Sequence, residues 1–259
     1  MAVMAFVVFH SGFRIMDSGP MECIDLTFPT PQQNLACDEA LIDWCEQGHD
    51  QEILRFWESP EYFVVLGYSN RISSEVNLPS CQAKHIPVLR RCSGGGTVLQ
   101  GPGCLNYSLV LKIGNWAPLK SITETNGFVM RCHQEALEPI IGAETEIQGC
   151  TDLALGRLKF SGNAQHRKRR FLLFHGTFLL HFDIALADLL LPLPSRQPSY
   201  RQNRFHGDFL TNLNVPASVI KDALRKTWNV TDKLEHVSLE RIDDLVERRY
   251  GTAEWSFRF

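Results

Sequence analysis

The chain has 259 residues, 44% hydrophobic and 21% charged, with a formal net charge of -3. That is enough for a sizeable core in one large domain or two small ones, and the balance gives no reason to expect general nucleic-acid binding. No apolar stretch approaches a membrane span, and the eight cysteines, at 23, 37, 45, 81, 92, 104, 132 and 150, include no Cys-x-x-Cys pair, which argues against a zinc site or disulfide scaffold and for reduced thiols in the cytosol.

Residues 3–9 are apolar, but no basic residue precedes them as in a secretory signal, and 1–20 are set aside as an extension outside the fold. Glu22 to Phe28 alternates like a strand, and Pro31 to Glu46 carries Leu35, Ala40, Leu41, Trp44 and Cys45 at helical spacing. Strands follow at Ile53 to Trp57 and Tyr62 to Gly67, then a helical or irregular segment from Ser73 to Lys84. Leu105 to Ile113 alternates, and Lys120 to Ile141 is the longest helix candidate, with Pro139 in its last turn. Strands are expected over Ala143 to Leu155, Lys159 to Ala164 and Phe171 to Phe182. Helices are expected over Ile184 to Leu191, Ser218 to Trp228 and Leu239 to Tyr250, with a loop from Pro192 to His206. The basic run His166-Arg-Lys-Arg-Arg170 reads as a hairpin tip or a contact to an acidic partner. Most strands are neighbours joined without crossover helices. This pattern predicts a single α/β domain of the α+β type, with a mixed, largely antiparallel central sheet flanked by helices.

The chemistry gathers around Val88-Leu-Arg-Arg-Cys-Ser-Gly-Gly-Gly-Thr-Val-Leu-Gln100, a strand, three glycines and a second β-branched run. A loop without Cβ atoms lets backbone N–H groups approach a charged ligand, and Arg90 and Arg91 carry forked donors suited to phosphate or carboxylate. By itself the segment reads more readily as a glycine hairpin with two solvated arginines. Lys159 in its strand and His175 in the next are weak signals taken singly, since a strand lysine usually faces solvent.

Taken in order, however, these segments resemble the lipoate-protein ligase A and octanoyltransferase family, within the biotin and lipoate ligase fold. The resemblance runs through Asn34-Leu-Ala-Cys-Asp-Glu-Ala-Leu41, Arg90-Arg-Cys-Ser-Gly-Gly-Gly-Thr97, Gly103-Cys-Leu-Asn-Tyr-Ser108, Gly149-Cys-Thr-Asp-Leu153, Lys159-Phe-Ser-Gly-Asn-Ala164, His175-Gly-Thr-Phe-Leu-Leu180, Phe209-Leu-Thr-Asn-Leu213 and Glu254-Trp-Ser-Phe257. It implies a catalytic domain over 21–259 without the small C-terminal accessory domain of bacterial ligases, which some ligases carry on a separate polypeptide.

A ligase of this kind joins lipoate to AMP, using ATP with a magnesium ion, and passes the acyl group to a lysine of a lipoyl carrier domain, such as the glycine-cleavage H protein or a 2-oxoacid dehydrogenase E2. The resemblance makes Lys159 catalytic and places Arg90, Arg91, Ser93, Gly94, Gly95, Gly96, Thr97, Val98, Ser161, Gly162, His175, Gly176 and Thr177 with it around ATP and the acyl-adenylate. No residue of the chain is assigned to a metal. Arg201 and Arg204 are further contacts to phosphate or to an acidic carrier, with solvated loop arginines as the equal alternative.

Octanoyltransferases instead take octanoate from acyl carrier protein through a cysteine thioester. Cys150, which stands where ligases commonly carry arginine, is the thiol to test; Cys92 and Cys104 read as packed and inert. Gln100-Gly-Pro102 also departs from the histidine and acidic residue of many ligases. An inactive relative that binds acylated carriers is the third reading.

Overall fold

The computed structural model describes residues 20–115 and 117–259; the expectations for residues 1–19 lie outside them. Strand β1 (Met21–Asp25) leads to helix α1 (Pro31–Gln47). Thr30 caps α1 by accepting the Gln33 N–H, Pro31 occupies its first turn, and Gly48 closes it at φ +129. Then come β2 (Glu52–Trp57), β3 (Phe63–Leu66), α2 (Ile72–Glu75), α3 (Leu78–Ala83), β4 (Val88–Arg90), β5 (Val98–Gln100) and β6 (Cys104–Lys112). Helix α4 (Ile122–Ile141) starts on Ser121, which accepts the Glu124 N–H, and stops at Gly142 in the left-handed region.

Four strands follow: β7 (Glu146–Gln148), β8 (Asp152–Leu155), β9 (Leu158–Arg167) and β10 (Phe171–Leu179). The remainder holds α5 (Ile184–Leu190), α6 (His206–Phe209), α7 (Ala217–Thr227), β11 (Val230–Lys233), α8 (Leu239–Leu245) and α9 (Ala253–Ser256).

Eight strands form one sheet in the order β11-β1-β2-β6-β10-β9-β8-β7. β1 runs parallel to both its neighbours and every other pairing is antiparallel, so the mixed, largely antiparallel sheet expected from the short connections is present. Alternation along the strands sorts its two faces. Leu54, Phe56, Leu109 and Phe174 pack with α4 and α7 on one side. Ile53, Trp57, Val110 and Leu173 pack with α1 and α8 on the other. Burying so many large side chains, at about 1.5–3 kcal/mol each, makes this two-sided core the main source of stability.

Three expectations change. Residues 143–155 form a hairpin, not one strand, because Gly149 at φ +57 turns the chain between β7 and β8. β4 and β5 do not pair with each other: both flank β3, β4 parallel and β5 antiparallel, in a separate three-stranded sheet. The glycine segment therefore arches over the end of β3 instead of turning a hairpin. Helix 239–250 is regular only to Leu245 and widens into a looser turn over Val246–Tyr250. The basic run does sit at the β9–β10 turn, and its acidic contacts lie within the chain: Lys168 pairs with Asp43 and Arg170 with Asp50.

Candidate functional site

The glycine arch roofs a cavity of about 610 Å³ over the α1 side of the sheet. Its shape is set from inside by Arg91. The Arg91 backbone N–H is held by Leu66 O at 3.0 Å, and its buried guanidinium donates to Ser93 Oγ at 3.0 Å, to Gly94 O at 2.6 Å and to Gly96 O at 2.8 Å. A planar trans peptide points its N–H away from its carbonyl. Turning the Gly94 and Gly96 carbonyls onto Arg91 therefore turns the Gly95 and Thr97 N–H groups away from it. Gly95 sits at φ +89, a conformation that excludes most side chains, and a Cβ at Gly67 beneath the arch would collide with the Gly95 carbonyl. Burial pulls Arg91 down to about 10, so it keeps its charge at neutral pH.

Arg90, one residue earlier, does a different job. It is fully buried and donates to the backbone carbonyls of Gly67, Tyr68, Asn70, Trp255 and Ser256, all within 3.2 Å. It lies outside the cavity, as do Ser93 and Gly94; Arg91, Gly95, Gly96, Thr97, Val98, Lys159, Ser161, Gly162, His175, Gly176 and Thr177 line it. Arg90 is correspondingly corrected from a ligand contact to a brace under the arch.

Lys159 reaches the cavity from β9. Its ammonium pairs with Asp152 Oδ1 on β8 at 2.8 Å, and Asp152 Oδ2 accepts the Tyr200 hydroxyl at 2.8 Å. An added Cβ at Gly162 would stand 2.6 Å from Lys159 Nζ, so glycine there leaves the room the ammonium occupies.

A second polar line supports the arch from below. Ser93 Oγ and His175 Nε2 are 2.6 Å apart, His175 Nδ1 faces Asp38 Oδ2 at 3.2 Å, and Asp38 Oδ1 accepts from Arg55 at 2.6 Å. Burial alone would raise the Asp38 carboxyl; the Arg55 guanidinium and the His175 contact outweigh it and hold the group below its ordinary value. Ser93 is 1% exposed and already accepts from Arg91, so this serine, histidine and aspartate act as a strut and not as a nucleophile with its relay.

The segment 192–206 closes the cavity's outer side. Glu75 accepts from Ser195, and Asp188 accepts the His206 N–H at 2.6 Å. Arg204 donates to the carbonyls of Asp208, Arg157 and Tyr200 and is occupied in tying its loop to α6 and to the β8–β9 turn. Arg201 lines the cavity at 5% exposure, and its Nη2 has no hydrogen-bond partner. Of the thiols only Cys150, in the β7–β8 turn, is exposed, and it too lines the cavity. Burial pushes Cys92 and Cys104 up to about 12, which leaves them protonated and inert.

Asp38, Asp152 and Tyr200 were not singled out as site residues in the sequence. Asp38 and Asp152 stand inside the quoted motifs, and an acid on the inward side of α1 is the one signal that pointed to the first. Among the described residues no helix is long and apolar enough to cross a membrane, and no group of three or more His, Cys, Asp or Glu could hold a metal ion.

The family model of the lipoyl protein ligase A/B catalytic domain matches residues 30–231. A protein of Aeropyrum pernix provisionally named lipoate-protein ligase A is 32% identical over 60% of this chain, an alignment that spans 55% of the relative. Octanoyltransferase LipM of Geobacillus kaustophilus is 26% identical over 91% of this chain and 97% of its own. Among solved structures, a lipoate-protein ligase A bound with ATP superposes with a TM-score of 0.75 at 24% identity, covering 92% of this chain and 98% of that one. The bi-partite lipoate protein ligase of Thermoplasma acidophilum, from a study with its E2 lipoyl domain, gives 0.75 at 23% identity, covering 92% and 96%.

Proposed function

Because this chain belongs to the lipoyl protein ligase A/B catalytic-domain family, we propose that it is a lipoate-protein ligase, which activates lipoate with ATP and transfers the lipoyl group to a lysine of a carrier domain. The observation that carries this reading is the company kept by Lys159. Around one cavity stand an ammonium, the glycine arch, Arg91 and the unpartnered guanidinium nitrogen of Arg201, while Leu35, Trp57, Val65, Leu99 and Leu179 line other parts of the wall. A cationic mouth on an apolar pocket suits an acyl chain joined to a phosphate. Each methylene of that chain taken from water contributes about 0.8 kcal/mol.

In the first step a carboxylate oxygen of lipoate attacks the α-phosphorus of ATP, and the bond to the departing pyrophosphate breaks. Charge builds on the phosphoryl oxygens, where Lys159, Arg201 and the arch N–H groups are preorganised to receive it. In the second, the carrier's lysine amine attacks the acyl carbonyl, AMP leaves with the electron pair of the broken C–O bond, and the amine sheds a proton. Lys159 contributes position and charge in both, with Asp152 fixing its direction. Magnesium enters on the phosphates of the nucleotide, as it commonly does. The Thermoplasma relative, studied with an E2 lipoyl domain as a two-part ligase, supports a carrier domain of E2 type as the acceptor and a separate accessory chain as a partner. The buried, reduced thiols favour the cytosol as the place of action.

The second reading, octanoyl transfer from acyl carrier protein, is favoured by Cys150, an exposed thiol on the wall of the same cavity, and by the LipM relative. Intact mass of an apo carrier separates the two. A lipoyl gain with lipoate, ATP and magnesium, kept in Cys150→Ser, supports the ligase. An octanoyl gain with octanoyl carrier protein and no nucleotide, lost in Cys150→Ser, establishes the transferase instead. Gain in neither mixture until a second chain is added identifies the accessory partner.

A further inference from the structure

Passing an acyl group to a lysine amine frees a proton, and the cations around Lys159 cannot take it, since an ammonium or a guanidinium only donates. Among the described residues, the carboxylates and histidines that line the cavity are Asp38, Glu75, Asp152, His175 and His206. Four of them are already engaged. Asp38 lies between Arg55 and His175, Asp152 lies between Lys159 and Tyr200, and Glu75 accepts the Ser195 N–H at 3.2 Å. His175 uses both ring nitrogens, one on Ser93 and one on Asp38. His206 uses only one.

Asp188, on α5, sets the direction of that ring. Its Oδ1 accepts the His206 N–H at 2.6 Å and its Oδ2 the Gly207 N–H at 2.9 Å, and Oδ1 also stands 3.1 Å from His206 Nδ1. A carboxylate holding two backbone N–H groups is an acceptor. Nδ1 therefore carries the proton of the neutral ring, and the free lone pair is on Nε2. Nε2 has no hydrogen-bond partner among the described residues, and it is not one of the polar atoms sealed from solvent.

The turn that carries His206 hangs on the strand of the lysine. The Leu210 N–H returns to His206 O at 2.8 Å, Leu210 bridges to Lys159, and the Thr211 N–H donates to Lys159 O at 2.9 Å. The charges that face the ring are Asp188 from α5, Arg201 from the closing segment and Lys159 from β9. Burial first, then the Arg201 and Lys159 charges, hold the imidazole below its usual 6.5 against the pull of Asp188. At neutral pH the ring is uncharged and ready to accept.

We infer that His206 is the general base of acyl transfer: as the carrier's lysine nitrogen bonds to the acyl carbon, Nε2 takes the proton which that nitrogen sheds. AMP, or the carrier thiolate or cysteine thiolate of the second reading, departs with the electron pair of the broken bond, and Nε2 later gives its proton to water. Asp188 is a positioning residue that fixes the ring and steadies the imidazolium. The inference rests on the reading that this chain acylates a carrier's lysine, and it holds for either donor.

The test is single-turnover transfer from lipoyl-adenylate to an apo carrier domain, followed by intact mass at pH values on both sides of about 6.5. Wild type is compared with His206→Asn, whose amide nitrogen stands near the place of Nδ1 and keeps a donor for Asp188. The variant is expected to bind lipoyl-adenylate as wild type does and to transfer about 100-fold more slowly. Only wild type loses a base as the pH drops below about 6.5, so its rate is expected to fall more steeply there than that of the variant. Added imidazole is expected to restore part of the rate to His206→Ala. A variant that transfers as fast as wild type, shares its pH profile or loses adenylate affinity by the same factor as rate overturns the base and leaves the acylation reading intact. So does a wild-type profile that does not steepen below about 6.5, however the variants fold. A wild type that transfers neither lipoyl from the adenylate nor octanoyl from octanoyl carrier protein overturns both.

Discussion

Lys159 Nζ lies 2.8 Å from Asp152 Oδ1, and the other oxygen of the same carboxylate holds the Tyr200 hydroxyl at 2.8 Å. One acid thus joins the lysine strand to the loop that closes the cavity. Lys159→Ala is expected to abolish carrier modification. Asp152→Asn keeps the shape but removes the charge that directs the ammonium, and activity is expected to fall about 10- to 100-fold. Stability should change by no more than about 1 kcal/mol, since the pair is partly solvated. Activity equal to wild type in Asp152→Asn refutes the positioning role.

Arg90 should behave in the opposite way. With five backbone carbonyls around one buried guanidinium, Arg90→Met leaves acceptors without donors and is expected to destabilise the fold by about 3 kcal/mol or more. Urea denaturation reads this directly. A variant of wild-type stability that has lost only ligand affinity would return Arg90 to the list of ligand contacts.

His133 gives the fold an acid sensitivity that owes nothing to the site. It is buried against Tyr107 and Trp228, accepts the Trp228 indole N–H at 3.0 Å, and burial lowers it from 6.5 to about 3. The unfolded chain therefore binds a proton that the folded chain refuses throughout that interval. Stability from this source is complete above about pH 6.5 and falls by about 1.4 kcal/mol per pH unit as the pH drops toward 3. Denaturation at pH 5.5 and 4.5 should show this slope, and His133→Gln, which keeps an acceptor for the indole, should lack it. An unchanged slope in that variant assigns the acid sensitivity elsewhere.

Gly67→Ala tests the arch. The new methyl group cannot share space with the Gly95 carbonyl, so the arch must lift. Displacement of about 1 Å in a catalytic assembly costs on the order of 100-fold in rate, with little change in melting temperature because the two-sided core is untouched. Undiminished activity would mean that the arch N–H groups do not act on substrate.

Fold class, the helices α1 and α4 and most strands are legible from alternation and helical spacing, because those signals act within a few residues. What stayed hidden depends on distance along the chain. Nothing near Val88 tells that β4 prefers the middle of β3 to the strand that follows the glycines. The polar edge strand Val230–Lys233 has no apolar alternation to announce it, since its side chains face solvent. Lys159 is visible through its motif, but its partner Asp152 sits on β8, the second arm of the β7–β8 hairpin, and one long strand over 143–155 gives no reason for that carboxylate to face Lys159. The adjacent arginines show the limit most plainly: chemically identical neighbours, one the last residue of β4 and the other just past it, serve as a brace in Arg90 and an arch support in Arg91.

Two of the carbonyls that hold Arg90 belong to Trp255 and Ser256, and the Trp255 indole returns a bond to Arg90 O at 2.8 Å. A ribosome makes the arginine some 165 residues before it makes those partners. Throughout that interval the arch lacks its brace, so a nascent chain whose sheet has already begun to form still has no finished site. The arch is braced only once Trp255 and Ser256 have been made, and a stop codon at Trp255 should leave it unbraced.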